Sequence, residues 1–181
     1  MAAAPAPPLP PPREPGTPYR ICLVCLGNYC RSPMAETVLR GALEQAGLDR
    51  AVVVDSAGTG DWHVGQAMNR MAADALARRG YDGSAHRGRQ LRRPWIAERD
   101  LFLAMDASNL ADLRRMAGPA DGDRIRLFGE VGGLSSGTRG GEVPDPYGGD
   151  ADEYDHVLGL ITTAAPAIVV RLIDLLEPTA P

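Results

Sequence analysis

The 181-residue chain contains no lysine: all 19 of its basic residues are arginine. That absence removes Schiff-base chemistry on a lysine and any lysine-bearing Walker A loop. Aromatic residues make up only 5% of the chain, and cysteine is scarcer still. Cys22, Cys25 and Cys30 lie within nine residues of one another and none lies elsewhere. A secreted scaffold spreads its cysteines to staple distant loops, so this cluster points to a reducing, cytoplasmic setting. Three histidines, His63, His86 and His156, leave few ligands for a metal, and neither a metal nor a cofactor is expected. Surplus positive charge is also missing, since 19 basic residues face 23 acidic ones for a net charge of −4. Binding of nucleic acid through bulk charge is therefore not expected. No basic segment precedes an apolar run at the N-terminus, so no signal peptide is read. No apolar stretch reads as long and uninterrupted enough to span a bilayer, and no membrane partner is expected.

The length fits one domain, large enough to bury a core without disulfides or a structural metal. Residues 1–18 hold eight of the 16 prolines with four alanines among them. Proline removes amide donors and prevents a helix, so this segment is expected to be a disordered or polyproline-like tail. A Pro7-Pro8-Leu9-Pro10 ligand for an SH3-type domain is the lesser reading. The domain proper is expected over residues 19–181.

Beyond the tail, strand and helix signals alternate. Tyr19 to Val24, Ala51 to Val54, Leu101 to Met105 and Ile125 to Phe128 read as short buried strands. Ser32-Pro33 reads as an N-cap followed by a first-turn proline, opening a helix to about Ala46. Asn69 is expected to cap a helix through Arg79, and Ser108 one after the third strand. Gly129 to Asp150 reads as a long loop. The last segment carries Tyr154, Val157, Leu158, Ile161, Ala165, Ile168, Val169, Leu172 and Leu176 on one helical face, with Pro166 expected to kink or break it. The alternation implies an α/β domain on a parallel sheet, with ligands at the carboxyl ends of its strands.

The first such end is Cys25-Leu26-Gly27-Asn28-Tyr29-Cys30-Arg31-Ser32-Pro33. Successive amides there can wrap an oxyanion, and the helix N-terminus adds positive potential. Gly27 and Asn28 tolerate the left-handed angles that such a cradle needs. Cysteines at helix N-termini are held as thiolates, with pKa values of roughly 3.5–7.5. Arg31 supplies a planar fork for two phosphate oxygens. Cys-x5-Arg-Ser between a strand and a helix points to a cysteine-dependent phosphatase.

The chain resembles the low-molecular-weight protein tyrosine phosphatase family over about residues 19–176. The resemblance rests on Val24 to Pro33, Ser56-Ala57-Gly58-Thr59, Asp61-Trp62-His63-Val64-Gly65, His86 to Leu91, Ala104 to Asn109, and Val143-Pro144-Asp145-Pro146-Tyr147. It implies a four-stranded parallel sheet with helices on both faces and a phosphate-binding loop, Leu26 to Ser32, between the first strand and first helix. It also implies that Cys25 is the nucleophile, Arg31 the phosphate-binding arginine, Ser32 the hydroxyl that stabilises the thiolate and Asp145 the general acid. Asn28, Ser56 and His86 match a network that supports the loop, and Trp62 and Tyr147 the walls of the substrate cleft. Phosphotyrosine-containing proteins are the implied partners; weak self-association is a separate expectation. The Arg-only, Ala- and Gly-rich composition suggests a GC-rich bacterium.

Other readings of the same residues remain open. Cys22-Leu23-Val24-Cys25 is a C-x-x-C, which supports redox or zinc chemistry elsewhere, but no second pair exists here. A thiol-dependent arsenate reductase of this fold would need resolving cysteines well downstream, and none follows Cys30. A non-catalytic phosphate-binding module is the third alternative. Cys30 is read as a redox partner that captures oxidised Cys25, with a buried spectator thiol as the rival reading. Asp106 reads as a strand-end carboxylate that orients Arg31. Arg87, Arg89, Arg92 and Arg93 read as a solvated basic face. Gly148 stands where many family members carry a second tyrosine, and Asn69-Arg70 where Asp-Pro is usual.

Overall fold

A computed structural model describes residues 7–134 and 140–177. Its strands are β1 (Tyr19–Cys25), β2 (Val52–Gly58), β3 (Leu101–Ala104) and β4 (Ile125–Leu127). All pair in parallel in the order β2-β1-β3-β4. The helices are α1 (Arg31–Gln45), α2 (Arg70–Arg78), α3 (Trp95–Glu98), α4 (Ala107–Ala117), α5 (Phe128–Val131) and α6 (Ala151–Leu176). This is the four-stranded α/β fold that the sequence implies.

The twofold alternation of a strand divides the core. Ile21, Leu23 and Cys25 of β1 and Leu101 and Leu103 of β3 face a cluster with residues of α1, α2, α5 and α6. Cys22, Val24, Phe102 and Ala104 face the opposite cluster, with Ile96 of α3 and Leu113 of α4. Both faces are covered, which is why β1 and β3 are nearly continuous apolar runs. After β1 the chain turns to β2 on one side, and β3 lies on the other. The crevice at this reversal lies beyond Cys25 and Ala104, where open parallel sheets bind their ligands.

Several local expectations are corrected. Cys30, not Ser32, occupies the N-cap of α1 and makes no side-chain cap bond. Asp106, not Ser108, caps α4, its carboxylate accepting from the Asn109 amide at 2.8 Å. Phe128 begins α5 instead of extending β4, so the expected long loop loses residues 129–131 to a helix. Residues 135–139 of that loop lie outside the described residues. The four-residue α3 has no counterpart in the sequence reading. Pro166 does not break α6, which runs 26 residues from an Asp150–Glu153 capping box. Buried side chains on both sides of the proline, from Tyr154 to Leu172, hold the helix against the core. The membrane reading also needs correcting: α6, which contains an 18-residue window with a mean hydropathy of 1.8, is long and apolar enough to cross a bilayer by length and composition alone. Here it packs against α1, α2 and α5.

The proline-rich segment departs most from expectation. Residues 1–6 lie outside the described residues, but residues 7–18 are a strap across the domain and not a free tail. Leu9 is 6% exposed and joins the core. The Tyr19 hydroxyl donates to the Pro10 carbonyl at 2.9 Å, Arg124 to that of Pro11 at 2.9 Å, and Arg171 to that of Pro7. Arg13 donates to the carbonyls of Arg99 and Ile96 at 2.7 and 2.9 Å and to the Asp121 carboxylate at 2.6 Å. The buried Asp100 carboxylate accepts from the amides of Arg13 and Arg20 at 2.6 and 2.7 Å. Proline is suited to this role: it donates nothing, and its carbonyls serve the arginines around it.

Candidate active site

The loop from Cys25 to Arg31 lies directly on the end of β2. A side chain at Gly58 would bring its Cβ within 2.7 Å of the Gly27 carbonyl carbon. Glycine is therefore required where the loop backbone crosses. The Thr59 and Gly60 amides donate to the carbonyls of Cys25 and Leu26 at 3.0 and 2.8 Å. Asn28 turns the loop with φ of 53°, the only positive φ outside glycine among the described residues.

A buried chain of polar side chains supports that turn. The Cys25 thiol lies 2.9 Å from the Ser32 hydroxyl. The Asn28 amide donates to the hydroxyls of Ser32 at 2.9 Å and Ser56 at 2.8 Å, while its carbonyl Oδ1 accepts from the Arg89 amide at 2.8 Å. Ser56 in turn donates to Glu36, whose carboxylate lies against Arg40 and Arg89. His86 Nε2 donates to the Asn28 carbonyl at 3.0 Å, which fixes the proton on that nitrogen. Burial lowers the His86 pKa, with Arg89 and Arg87 adding to the effect against the Asn28 bond and Glu36, and favours the neutral ring. Glu36 was missed in the sequence; its signal was a lone acid among the apolar residues of the buried face of α1.

Arg31 is 2% exposed and gathers the residue after the end of β3 and the Asp145 loop. Its Nη1 donates to Asp106 at 2.6 Å and to the Val143 carbonyl at 3.2 Å, and Nη2 donates to Asp145 at 3.1 Å. Burial alone would lower its pKa, but the negative charges on Cys25, Asp145 and Asp106, with the Asp106 hydrogen bond, outweigh it and hold the guanidinium charged. Nε is buried with no protein partner. An oxyanion can take Nε and Nη2 together, displacing Asp145 from Nη2. The Asp145 loop is tied to the end of β3 by the Val143 amide, which donates to the Met105 carbonyl at 2.7 Å.

Cys25, Leu26, Gly27, Tyr29, Cys30, Arg31, Trp62, His63, Asp145 and Tyr147 line one cavity of about 360 Å³. Trp62 and Tyr147 are exposed at its mouth. Tyr29 and His63 stack face to face with centroids 3.8 Å apart, a pairing the sequence did not reveal. Cys30 is buried, its thiol 3.5 Å from the Tyr154 hydroxyl. Burial pushes its pKa up to about 12; the Tyr154 hydrogen bond opposes this, and the charges of Asp145 and Cys25 add to it. His156 is exposed on α6, and among the described residues no cluster of His, Cys, Asp and Glu is arranged to hold a metal ion. Arg87, Arg92 and Arg93 are exposed and Arg89 is half-buried.

An α/β protein with an oxyanion cradle, a thiol and a facing carboxylic acid belongs to a narrow class. The family model described as "Low molecular weight phosphotyrosine protein phosphatase" matches residues 20–174. A low molecular weight protein-tyrosine-phosphatase of Streptomyces coelicolor is 40% identical over 166 residues, covering 90% of this chain and 98% of that protein. Protein-tyrosine phosphatase A of Mycobacterium tuberculosis is 38% identical over 151 residues, covering 83% and 90%. The crystal structure of YfkJ from Bacillus subtilis superposes with a TM-score of 0.80 at 32% identity, covering 91% of this chain and all of that one. Wzb of Vibrio vulnificus, solved in complex with benzylphosphonate, gives 0.70 at 28% identity, covering 82% and 95%. The chain belongs to the low molecular weight phosphotyrosine protein phosphatase family.

Proposed function

We infer that this chain is a protein-tyrosine phosphatase that hydrolyses phosphotyrosine in phosphoproteins through a cysteinyl-phosphate intermediate. One observation carries the reading most: Arg31 is held by Asp106 and Val143 with its remaining donors directed to the cavity that also contains Cys25 and Asp145. The substrate's phosphate occupies the loop of Leu26 to Ser32, its oxygens taken by loop amides and the Arg31 fork. The Cys25 thiolate attacks phosphorus, the bond to the tyrosyl oxygen breaks, and Asp145 gives its proton to that oxygen. Asp145, now a carboxylate, takes a proton from the water that attacks the cysteinyl phosphate. The S–P bond breaks, inorganic phosphate leaves and the thiolate returns with Asp145 reprotonated. Ser32 stabilises the thiolate by hydrogen bonding. Asp106 positions Arg31, while Asn28, Ser56 and His86 keep the cradle in shape. Trp62 and Tyr147 hold the aromatic ring, and the benzylphosphonate held by a relative carries its phosphonate one methylene from such a ring.

No step needs a metal or cofactor. A free thiol nucleophile suits a reducing compartment, which is the basis for proposing a cytoplasmic location. Cys30 is proposed as the thiol that captures oxidised Cys25. Leu26, Trp62 and Tyr147 are exposed apolar residues around the cavity and support weak self-association. Hydrolysis of aryl phosphate, phosphotyrosyl and phosphoseryl peptides, each with a chelator present, tests the assignment. Phosphotyrosine should be turned over and phosphoserine should lag, because its shorter side chain cannot bring the phosphate to the cavity floor. Turnover by Cys25→Ser at the wild-type rate would overturn the mechanism.

A further inference from the structure

His63 lies in the cavity wall beside the phosphate loop, yet the chemistry above gives it nothing to do. Its ring is half-buried, parallel to Tyr29 within 4° and 6.5 Å from Tyr147. It abuts the loop so closely that a Cβ on Gly27 would come within 3.0 Å of its Cδ2. Gln66 holds the ring in one tautomer. Its amide nitrogen donates to the Trp62 carbonyl at 3.4 Å, which turns Oε1 toward His63 Nδ1 at 3.0 Å. An amide oxygen only accepts, so Nδ1 carries the proton and Nε2 is the atom left for other partners.

The charges around the ring are few. The phosphate loop contributes Cys25, Tyr29 and Arg31, and the opposite loop Asp145 and Tyr147. Exposed Asp61 precedes His63 by two residues, and exposed Arg87 precedes Gly88, whose backbone bonds to Gly65 and Gln66. Arg31 is buried against Asp106 and Asp145, so it is committed to the phosphate. Of the described residues that line the cavity, His63 is the other one able to become cationic. The substrate's phosphate sits on the loop and its ring between Trp62 and Tyr147, so the substrate main chain and its neighbouring side chains meet the cavity at the level of the wall.

We propose that His63 is a specificity-determining residue: its protonated Nε2 pairs with a carboxylate adjacent to the phosphotyrosine, so acidic-flanked substrates are preferred and the preference grows on acidification. This rests on the phosphatase reading and extends it. Histidine is the side chain that changes charge between pH 5 and 8. A glutamate in a peptide stays largely ionised at pH 5.5. The ion pair is solvent-facing, and such pairs are worth about two- to fivefold in an equilibrium.

The test compares kcat/KM for two phosphotyrosyl peptides that differ only in Glu against Gln beside the phosphotyrosine, at pH 5.5 and 7.5. Titration of the phosphate and of the catalytic groups cancels in the ratio. In the wild type the Glu-over-Gln ratio should reach about two- to fivefold at pH 5.5 and approach one at pH 7.5. In His63→Phe, which keeps a ring against Tyr29, and in His63→Asn, the ratio should not change with pH. A pH-independent ratio in the wild type, or an unchanged pH dependence in both variants, overturns the role of His63. Failure of the wild type to hydrolyse either peptide would instead defeat the phosphatase reading.

Discussion

At the scale of single residues, the site separates groups that look alike in the sequence. Asp106 and Asp145 both contact Arg31, but Asp106 also caps α4 and is fixed, whereas Asp145 stands on a proline-flanked loop with its side chain 42% exposed. Asp145→Asn should therefore slow aryl phosphates with poor leaving groups by about 10²–10⁴-fold while sparing activated ones. Equal losses across a leaving-group series would show that Asp145 is not the proton donor. The three cysteines also separate: Cys22 is sealed in β1, Cys25 borders the cavity, and Cys30 is a buried neutral thiol. On the redox role proposed for Cys30, peroxide converts the Cys25 thiolate to a sulfenic acid, and a Cys30 thiolate then attacks that sulfur with loss of hydroxide. With the Cys30 pKa near 12, the thiolate fraction and hence the capture rate should rise steeply with pH between 7 and 9, measured by trapping the disulfide after a peroxide pulse. A pH-independent rate would place the resolving chemistry elsewhere. His86 gives a pH dependence of stability with the same sense, rising with pH. Its folded pKa is depressed, so its contribution is whole above the unfolded value of about 6.5 and is lost as pH falls through the folded value. Thermal denaturation from pH 7.5 to 5 should show a smaller loss of Tm in His86→Gln than in the wild type; identical profiles would contradict a neutral His86 at the loop.

At the scale of elements, the strap offers the clearest test. Arg13→Ala removes three acceptor contacts of the guanidinium but keeps the amide bond to Asp100. The loss of about 1–3 kcal/mol should lower Tm by about 2–12 °C for a chain this long, with kcat within twofold of wild type. An unchanged Tm would mean that the strap lies on the domain without holding it. The strap was illegible in the sequence because proline content reports the absence of regular hydrogen bonding and says nothing about docking. Its anchors, Asp100, Asp121, Arg124 and Arg171, lie 87 to 164 residues away. The strands and α2 were legible because periodicity and caps are local: Asn69 does accept from the Met71 amide at 2.8 Å. Ser32 misled for a physical reason. A serine before proline at a helix start has the composition of a cap, but this hydroxyl is bonded to Asn28 and Cys25. The cleft residues Trp62 and Tyr147 could be named from motifs, whereas the Tyr29–His63 stack depends on how two loops meet, and neither loop alone encodes it.

At the scale of the whole molecule, β1 and β3 send alternate side chains into both core clusters, so neither face can be lost alone. Far-UV circular dichroism and tryptophan fluorescence should report one coincident unfolding transition, since Trp95 packs on one cluster and the helices dominate the other. Two resolved transitions would mean that the faces fold independently. The same construction explains α6: Leu158, fully buried in its N-terminal third, should cost about 2–5 kcal/mol when cut to alanine, as expected for a core helix. The strap also has a consequence for attachment. Pro7 is held at Arg171, twenty residues beyond the Ala151 start of α6 beside the Asp145 loop. That is about 30 Å along the helix. Anything joined ahead of Pro7, whether an anchoring surface or a fused module, is thus leashed far from the cavity mouth. A protein immobilised through that end keeps the mouth open to large phosphoprotein substrates.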